Sequence, residues 1–370
     1  MNSLRTNIAM TTAVRAPATL YITTVLTAST PAVMIIENVL EEVARVVNQD
    51  PWTVKQLNFY HTGQDNRWKK RALAVVPVKF GMSSSFDMFT AVVSIYGHDG
   101  TIAVTHGGTE CGQGINTKVA QVVAYELGVP VDMVSVKPTD STVAANNATT
   151  GGSTTSEGCC RAAIECCKAV NLRITPIKTA NPDLDWAKLM SKCVDVGVAL
   201  TESYTNAGKH PTGGSDLFTY NVYGATCSEV ELDVLTGEYQ INRVDIVYDC
   251  GESLNPMVDI GQVEGAFVMG LGLNLTEAVK YDPSTGQMLC YDTWNYHPPT
   301  NKDIPVDFRV SLLKNAPNPV GVLGSKGSGE PPLNTAVSVF FALRKCIEEA
   351  RKDAGQTGAF TFEPPATVEK

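Results

Sequence analysis

His106-Gly107-Gly108-Thr109-Glu110-Cys111-Gly112-Gln113-Gly114 is the stretch from which the fold is read, because of what stands on either side of it. Upstream, residues 91–96 alternate in strand-like fashion and end in the turn signal His98-Asp99-Gly100. Downstream, apolar residues recur at helical spacing as far as Leu127. A second loop, Thr149-Thr150-Gly151-Gly152-Ser153-Thr154-Thr155, opens another helix, rich in Ala and Cys. Strand, loop and helix therefore alternate. Further out, residues 72–79 are strand-like, and residues 229–248 form a hairpin pattern around Thr236-Gly237. Residues 260–273 follow as a glycine-interrupted helix. The class implied is α+β, with mixed sheets and helices, and no fixed-period repeat points to a solenoid or propeller.

With 370 residues, 44% hydrophobic and 18% charged, the chain has the composition of a folded protein and the length for two domains. Residues 31–48 carry Val33, Ile36, Leu40, Val43 and Val47 at helical spacing, and residues 61–70 are polar. This sets a domain boundary near residue 64, dividing the chain into residues 1–63 and 64–370. A net charge of -9 with no run of Lys and Arg excludes a nucleic-acid footprint. No stretch reaches the roughly 18 apolar residues of a membrane span, and no apolar signal core opens the chain, so a cytoplasmic location without membrane partners is expected. The ten cysteines include the pairs Cys159-Cys160 and Cys166-Cys167 but no C-x-x-C. They read as buried free thiols in a reducing compartment.

Four loops hold residues able to do chemistry, and each also has an ordinary structural reading. In 106–114, four glycines let a ligand approach the backbone while Gln113 offers both a donor and an acceptor, which suits a flat polar cofactor; the spacing is neither G-x-G-x-x-G nor a P-loop. In 150–155, amides and hydroxyls precede a helix, an arrangement that binds phosphate or simply caps the helix. In Gly324-Ser325-Lys326-Gly327-Ser328-Gly329-Glu330-Pro331-Pro332, a single carboxylate lies between glycines and prolines. In a dry pocket Glu330 would be a general base, with Lys326 near for an anion; in solvent it would be a loop carboxylate ahead of a helix near Leu333. In Asp259-Ile260-Gly261-Gln262-Val263-Glu264-Gly265-Ala266, small residues allow close helix packing and Gln262 points an amide at whatever lies at the helix N-terminus.

Taken in order, these four loops resemble the pterin-binding and active-site segments of the molybdenum hydroxylases, the family of aldehyde oxidases and xanthine dehydrogenases. The similarity extends through Trp68-Lys69-Lys70-Arg71, Asp307-Phe308-Arg309-Val310-Ser311 and Pro364-Pro365-Ala366-Thr367, covering residue 55 to the C-terminus. The resemblance implies a molybdopterin carrying molybdenum, enclosed by Cys111, Gly112, Gln113, Thr150, Gly151, Ser153, Thr154, Thr155, Gln262 and Lys326. Gly152 is implied to lie near the metal. Glu330 is implied to be the base that activates an oxygen nucleophile for attack on an electrophilic carbon. Val14-Arg15-Ala16-Pro17 is similar to the family's arginine loop, which would put Arg15 near the metal, and residues 20–30 read as an insertion.

Where xanthine dehydrogenases carry an aromatic residue followed by Thr, this chain has Ser84-Ser85, so a purine would lose its stacking partner. Pro17 in Arg-Ala-Pro likewise stands where an aromatic wall would be. The resemblance is therefore closest to an aldehyde oxidase, hydroxylating aldehydes to carboxylic acids with water as oxygen donor. The alternatives are purine or other N-heterocycle hydroxylation and a non-catalytic remnant. The family's iron-sulfur clusters and FAD, which carry electrons on to oxygen, belong to domains for which 370 residues have no room. An N-terminally truncated chain is therefore expected, with a remnant of the first molybdenum subdomain in 1–63 and the second subdomain in 64–370. Such a fragment is expected to be inactive when isolated, and the full-length protein is expected to be a homodimer.

Overall fold

The computed structural model describes residues 68–83, 88–206, 218–292 and 294–368. The helix read over 31–48, the segment 20–30 and the boundary near residue 64 lie outside these residues. In chain order the elements are β1 (Lys69–Met82), β2 (Thr90–Ile95), β3 (Ile102–His106), α1 (Ile115–Leu127), β4 (Val134–Val136), α2 (Thr155–Ala180), α3 (Trp186–Asp195), β5 (Thr201–Thr205), β6 (Tyr220–Asp233), β7 (Tyr239–Tyr248), α4 (Pro256–Leu271), β8 (Asp307–Leu312) and α5 (Val337–Asp353). The α+β class is what the structure has.

The described residues pack into two hydrophobic cores. In the first, the sheet order is β1-β6-β7-β8, antiparallel except for the parallel pair β7–β8. β1 pairs with β6 from Lys69↔Asp233 to Met82↔Tyr220, longer at both ends than the strand read over 72–79. Its Ala72, Ala74, Val76 and Val78 alternate into the core, as a one-face-buried strand must. The β6–β7 hairpin turns at Gly237, whose φ of 75° suits glycine. α5 lays Val337, Phe340 and Phe341 on this sheet, and α4 adds Val263 and Phe267. Fully burying side chains of this kind contributes about 1.5–3 kcal/mol each.

In the second core the order is β4-β3-β2-β5, with β3 and β4 parallel and connected through α1. α1 buries Ile115, Val119, Val122 and Val123, while α2 buries Cys159, Ala163, Cys166, Val170 and Ile174 at helical spacing. All ten cysteines are free thiols and Cys111 alone among them is exposed. Burial pushes the thiols of Cys159 and Cys166 up to about 12, so at neutral pH both are packing groups.

One boundary in the sequence reading changes. α4 begins at Pro256, not at Asp259 or Ile260: Asn255 is the N-cap, its side chain accepting from the Val258 amide at 3.2 Å, with proline at the first helical position. Gln262 therefore sits in the second turn rather than at the helix entrance.

Candidate active site

The four loops meet in the seam between the two cores, around a cavity of about 440 Å³. Cys111, Gly112, Gln113, Thr150, Gly151 and Gly152 line one side. Ser153, Thr155, Gln262, Lys326 and Glu330 complete the set of expected residues that reach it. Thr154 is buried and does not line it. Arg15, Pro17, Ser84 and Ser85 lie outside the described residues.

The first loop takes its shape from its own Glu110. One carboxylate oxygen accepts from the amides of Gly112 at 3.0 Å and Gly114 at 3.1 Å, and the other accepts from Asn116 at 3.1 Å. A carboxylate is thus held over the positive end of α1, where the helix dipole stabilises it. Cys111 to Gln113 are left projecting. The Gln113 amide turns back on the same loop, its oxygen accepting from the Cys111 amide at 2.7 Å and its nitrogen donating to the Thr109 carbonyl at 2.8 Å. Gln262 reaches across from α4 and donates to the Gly112 carbonyl at 3.4 Å.

The second loop reverses direction at Gly152 and Ser153, with φ values of 65° and 58°. For serine this left-handed conformation is strained, and such strain is held where the surroundings require it. Here it aims the Ser153 hydroxyl at the third loop, where it accepts from the Glu330 amide at 2.7 Å. Gly329 is glycine for the same reason: a Cβ there would lie 2.7 Å from Ser153 Oγ. No cap residue side chain closes the first turn of α2, so its amides keep the anion-binding character of a helix N-terminus.

Two buried tyrosines hold the third loop. Tyr220 accepts from the Gly327 amide at 3.0 Å and donates to Glu157 at 2.9 Å, while Tyr248 donates to the Gly327 carbonyl at 2.6 Å. Lys326, the cation read near Glu330 from the sequence, lines the cavity and is ion-paired there. Its ammonium donates to the buried carboxylate of Asp249 and to the Asn221 carbonyl at 2.9 Å. Glu330 is half-buried at the N-terminus of the short 3-10 helix Pro331–Ala336 that leads into α5. Desolvation pushes its carboxyl up to about 7, against a smaller opposing effect from the Gly152 backbone amide. A carboxyl half-protonated near neutrality can both take and return a proton there.

Sequence reasoning missed the supports: Tyr220, Tyr248 and Glu157, and a buried cluster of Lys118, Asp259 and Ser328. The tyrosines are ordinary strand residues, and nothing local marks them. Lys118 did carry a signal, since it is a lone charge among Ile115, Val119 and Val122 in the apolar stripe of α1.

A cleft between two packed layers with a carboxylate of raised pKa on its wall is a place to seat a cofactor beside a general base. A family model of the molybdopterin cofactor-binding domain matches residues 52–305. The xanthine dehydrogenase of Dictyostelium discoideum is 37% identical over 388 residues, covering 92% of this chain and 28% of that protein. The xanthine dehydrogenase/oxidase of Mus musculus is 40% identical over 332 residues, covering 86% and 25%. Quinoline 2-oxidoreductase from Pseudomonas putida superposes with a TM-score of 0.72 at 20% identity over 91% of this chain and 51% of that one. The aldehyde oxidoreductase from Desulfovibrio desulfuricans does so at 0.68 and 20%, over 92% and 39%. These structural likenesses show the fold. The chain belongs to the molybdopterin-binding family of molybdenum hydroxylases, and it spans about a quarter of the length of the curated relatives it matches.

The cleft fits the family's cofactor. At Gly112, Gly151 and Gly265 an added Cβ would meet nothing within 4 Å, so bare backbone faces open space on three of its walls, as a flat polar ring system needs. Among the described residues no group of three or more His, Cys, Asp or Glu could hold a metal ion by itself.

Proposed function

We propose that this chain is the molybdopterin-binding part of an aldehyde-oxidising hydroxylase, with Glu330 as its general base. The observation that carries the reading is the half-buried Glu330 carboxyl on the cavity wall, raised to about 7 and addressed by the backbone of the Gly152 loop. When bound, the molybdenum cofactor supplies the electron sink and an acidified oxygen derived from water. With the cofactor bound, Glu330 would be the residue that takes up the proton released when the aldehyde carbon is hydroxylated. Ser153 and the two tyrosines keep Glu330 from swinging out of reach.

The open end of α2 is the place for the phosphate of the cofactor, since the cations of Lys118 and Lys326 are paired with buried aspartates and the amides of Gly151 and Gly152 are engaged by Thr155 and Glu330. Gln113, Gln262 and the glycines at 112 and 151 face the pterin ring. Electrons leave through iron-sulfur and flavin domains of the whole protein, a cytoplasmic homodimer in this reading, to oxygen.

Aldehyde is preferred because Ser84-Ser85 and Pro17 supply no aromatic surface against which a purine could stack. A purine-type reading has one observation in its favour, the xanthine dehydrogenase names of the relatives. The test is to purify the chain from a host that makes the eukaryotic-type cofactor, measure molybdenum by elemental mass spectrometry, and compare aldehyde with purine oxidation using an artificial electron acceptor. Near-stoichiometric metal is expected in the chain, and in the full-length protein aldehyde turnover that is lost in Glu330→Gln. Purine turnover in place of aldehyde turnover would move the assignment, and a folded metal-free chain would make it a remnant.

A further inference from the structure

The cluster of Lys118, Asp259, Ser253 and Ser328 stands at the wall of the cavity, which Lys118 and Ser328 line, and has been given no role so far. Lys118 and Asp259 are 9% and 2% exposed, and their ion pair closes at 2.7 Å. Asp259 is also the acceptor for two hydroxyls, Ser328 at 2.9 Å on the oxygen that Lys118 holds and Ser253 at 2.6 Å on the other. The pair unites three segments far apart in the chain. Lys118 is one turn into α1, its amide donating to the carbonyl of Gly114 at 3.1 Å, so it is anchored to the end of the first loop. Asp259 is in the first turn of α4, one turn before Gln262. Ser328 is two residues before Glu330.

A buried ion pair is a poor source of stability, because removing two charges from water offsets most of their attraction, and apolar replacements of equal volume often do as well. What such a pair supplies instead is register: it is satisfied in one arrangement of its partners and in no other. An apolar contact between α1 and α4 would tolerate sliding. A carboxylate with three donors from three segments does not.

We propose that Lys118 is a positioning residue, holding through Asp259 and Ser328 the loop that carries Glu330 in register with the glycine-rich loop that opens α1. The inference rests on the reading of Glu330 as the general base, but its physical content is the register of the loops. That content is measurable without turnover.

The experiment is hydrogen–deuterium exchange followed by mass spectrometry on the full chain, wild type against Lys118→Met/Asp259→Asn, which removes both charges together. Exchange in residues 325–330 and 110–114 is expected to rise about tenfold, the effect of losing a charged hydrogen bond at a local opening, while β1 and β6 keep their protection. Unchanged exchange in those loops, or a uniform rise across the whole chain, overturns the proposal. Ser328→Ala keeps the ion pair and cuts only its link to the third loop. It should loosen 325–330 alone, and no change there also overturns the proposal, even if the double variant fails to fold. In the cofactor-loaded full-length protein the double variant should lower kcat at unchanged KM. If the loops loosen as expected while the loaded full-length protein oxidises no aldehyde, the positioning role stands and the assignment of function falls.

Discussion

Replacing Glu330 by Gln should make the protein more stable, and by an amount that depends on pH. The folded chain holds this carboxyl at about 7 because burial disfavours its charge, whereas in the unfolded chain it titrates near the ordinary 4.5. Between these two values the folded protein keeps a proton that the unfolded one has released. The stability associated with the protonated form is therefore fully present below pH 4.5, is lost as pH rises through about 7, and stays lost above it. For a fully buried group the interval would be worth roughly 3 kcal/mol. Glu330 is only half-buried, and screening by water reduces the figure to about 1–2 kcal/mol.

Glutamine keeps the shape and never ionises, so the variant escapes the loss. Urea unfolding of wild type and Glu330→Gln at intervals from pH 4.5 to 8.5 checks this. The variant's advantage over wild type should grow by about 1–2 kcal/mol across the range, with its midpoint between pH 5 and 7. A difference that is flat with pH would mean that the carboxyl is hydrated and ordinary, and the argument for Glu330 as a neutral-pH base would fail with it.

Ser153→Ala removes the acceptor of the Glu330 amide and should destabilise the chain by about 1 kcal/mol in urea unfolding, with a larger proportional loss in kcat than in KM once the cofactor is loaded. Lys118→Met alone strands the Asp259 carboxylate and should cost about 3–5 kcal/mol, more than the charge-free double variant, which a double-mutant cycle of denaturation midpoints would show. Among the ten thiols Cys111 should be alkylated first by iodoacetamide in the native chain, and loading with the cofactor should protect it, as peptide mapping would record. Molybdopterin at about a hundred times its Kd should raise stability by about 2.7 kcal/mol, and chelation or removal of the cofactor should reverse the gain.

Much of the site could be read from the chain because its parts are local. A glycine-rich loop before a helix is encoded by the glycines and the apolar period that follows, and the first two loops take much of their shape from near neighbours: Glu110 caps its own loop, and Gly152 turns its own reversal. The α+β class, the hairpin around Gly237 and the position of Glu330 ahead of a helix follow from such short-range rules, as did the burial of nine of the ten cysteines in whole or part. Long-range pairing is different in kind. The partner of Lys326 is Asp249, distant in sequence, and only the packed structure brings that carboxylate alongside. The division of the described residues into two cores, the tyrosines gripping Gly327 and the Lys118–Asp259 pair belong to the same class. So does the shift that makes Glu330 a usable base, because a pKa is fixed by how much water burial removes. Periodicity along the chain reports which face of an element turns inward, and it carries no information about which other element will be waiting there.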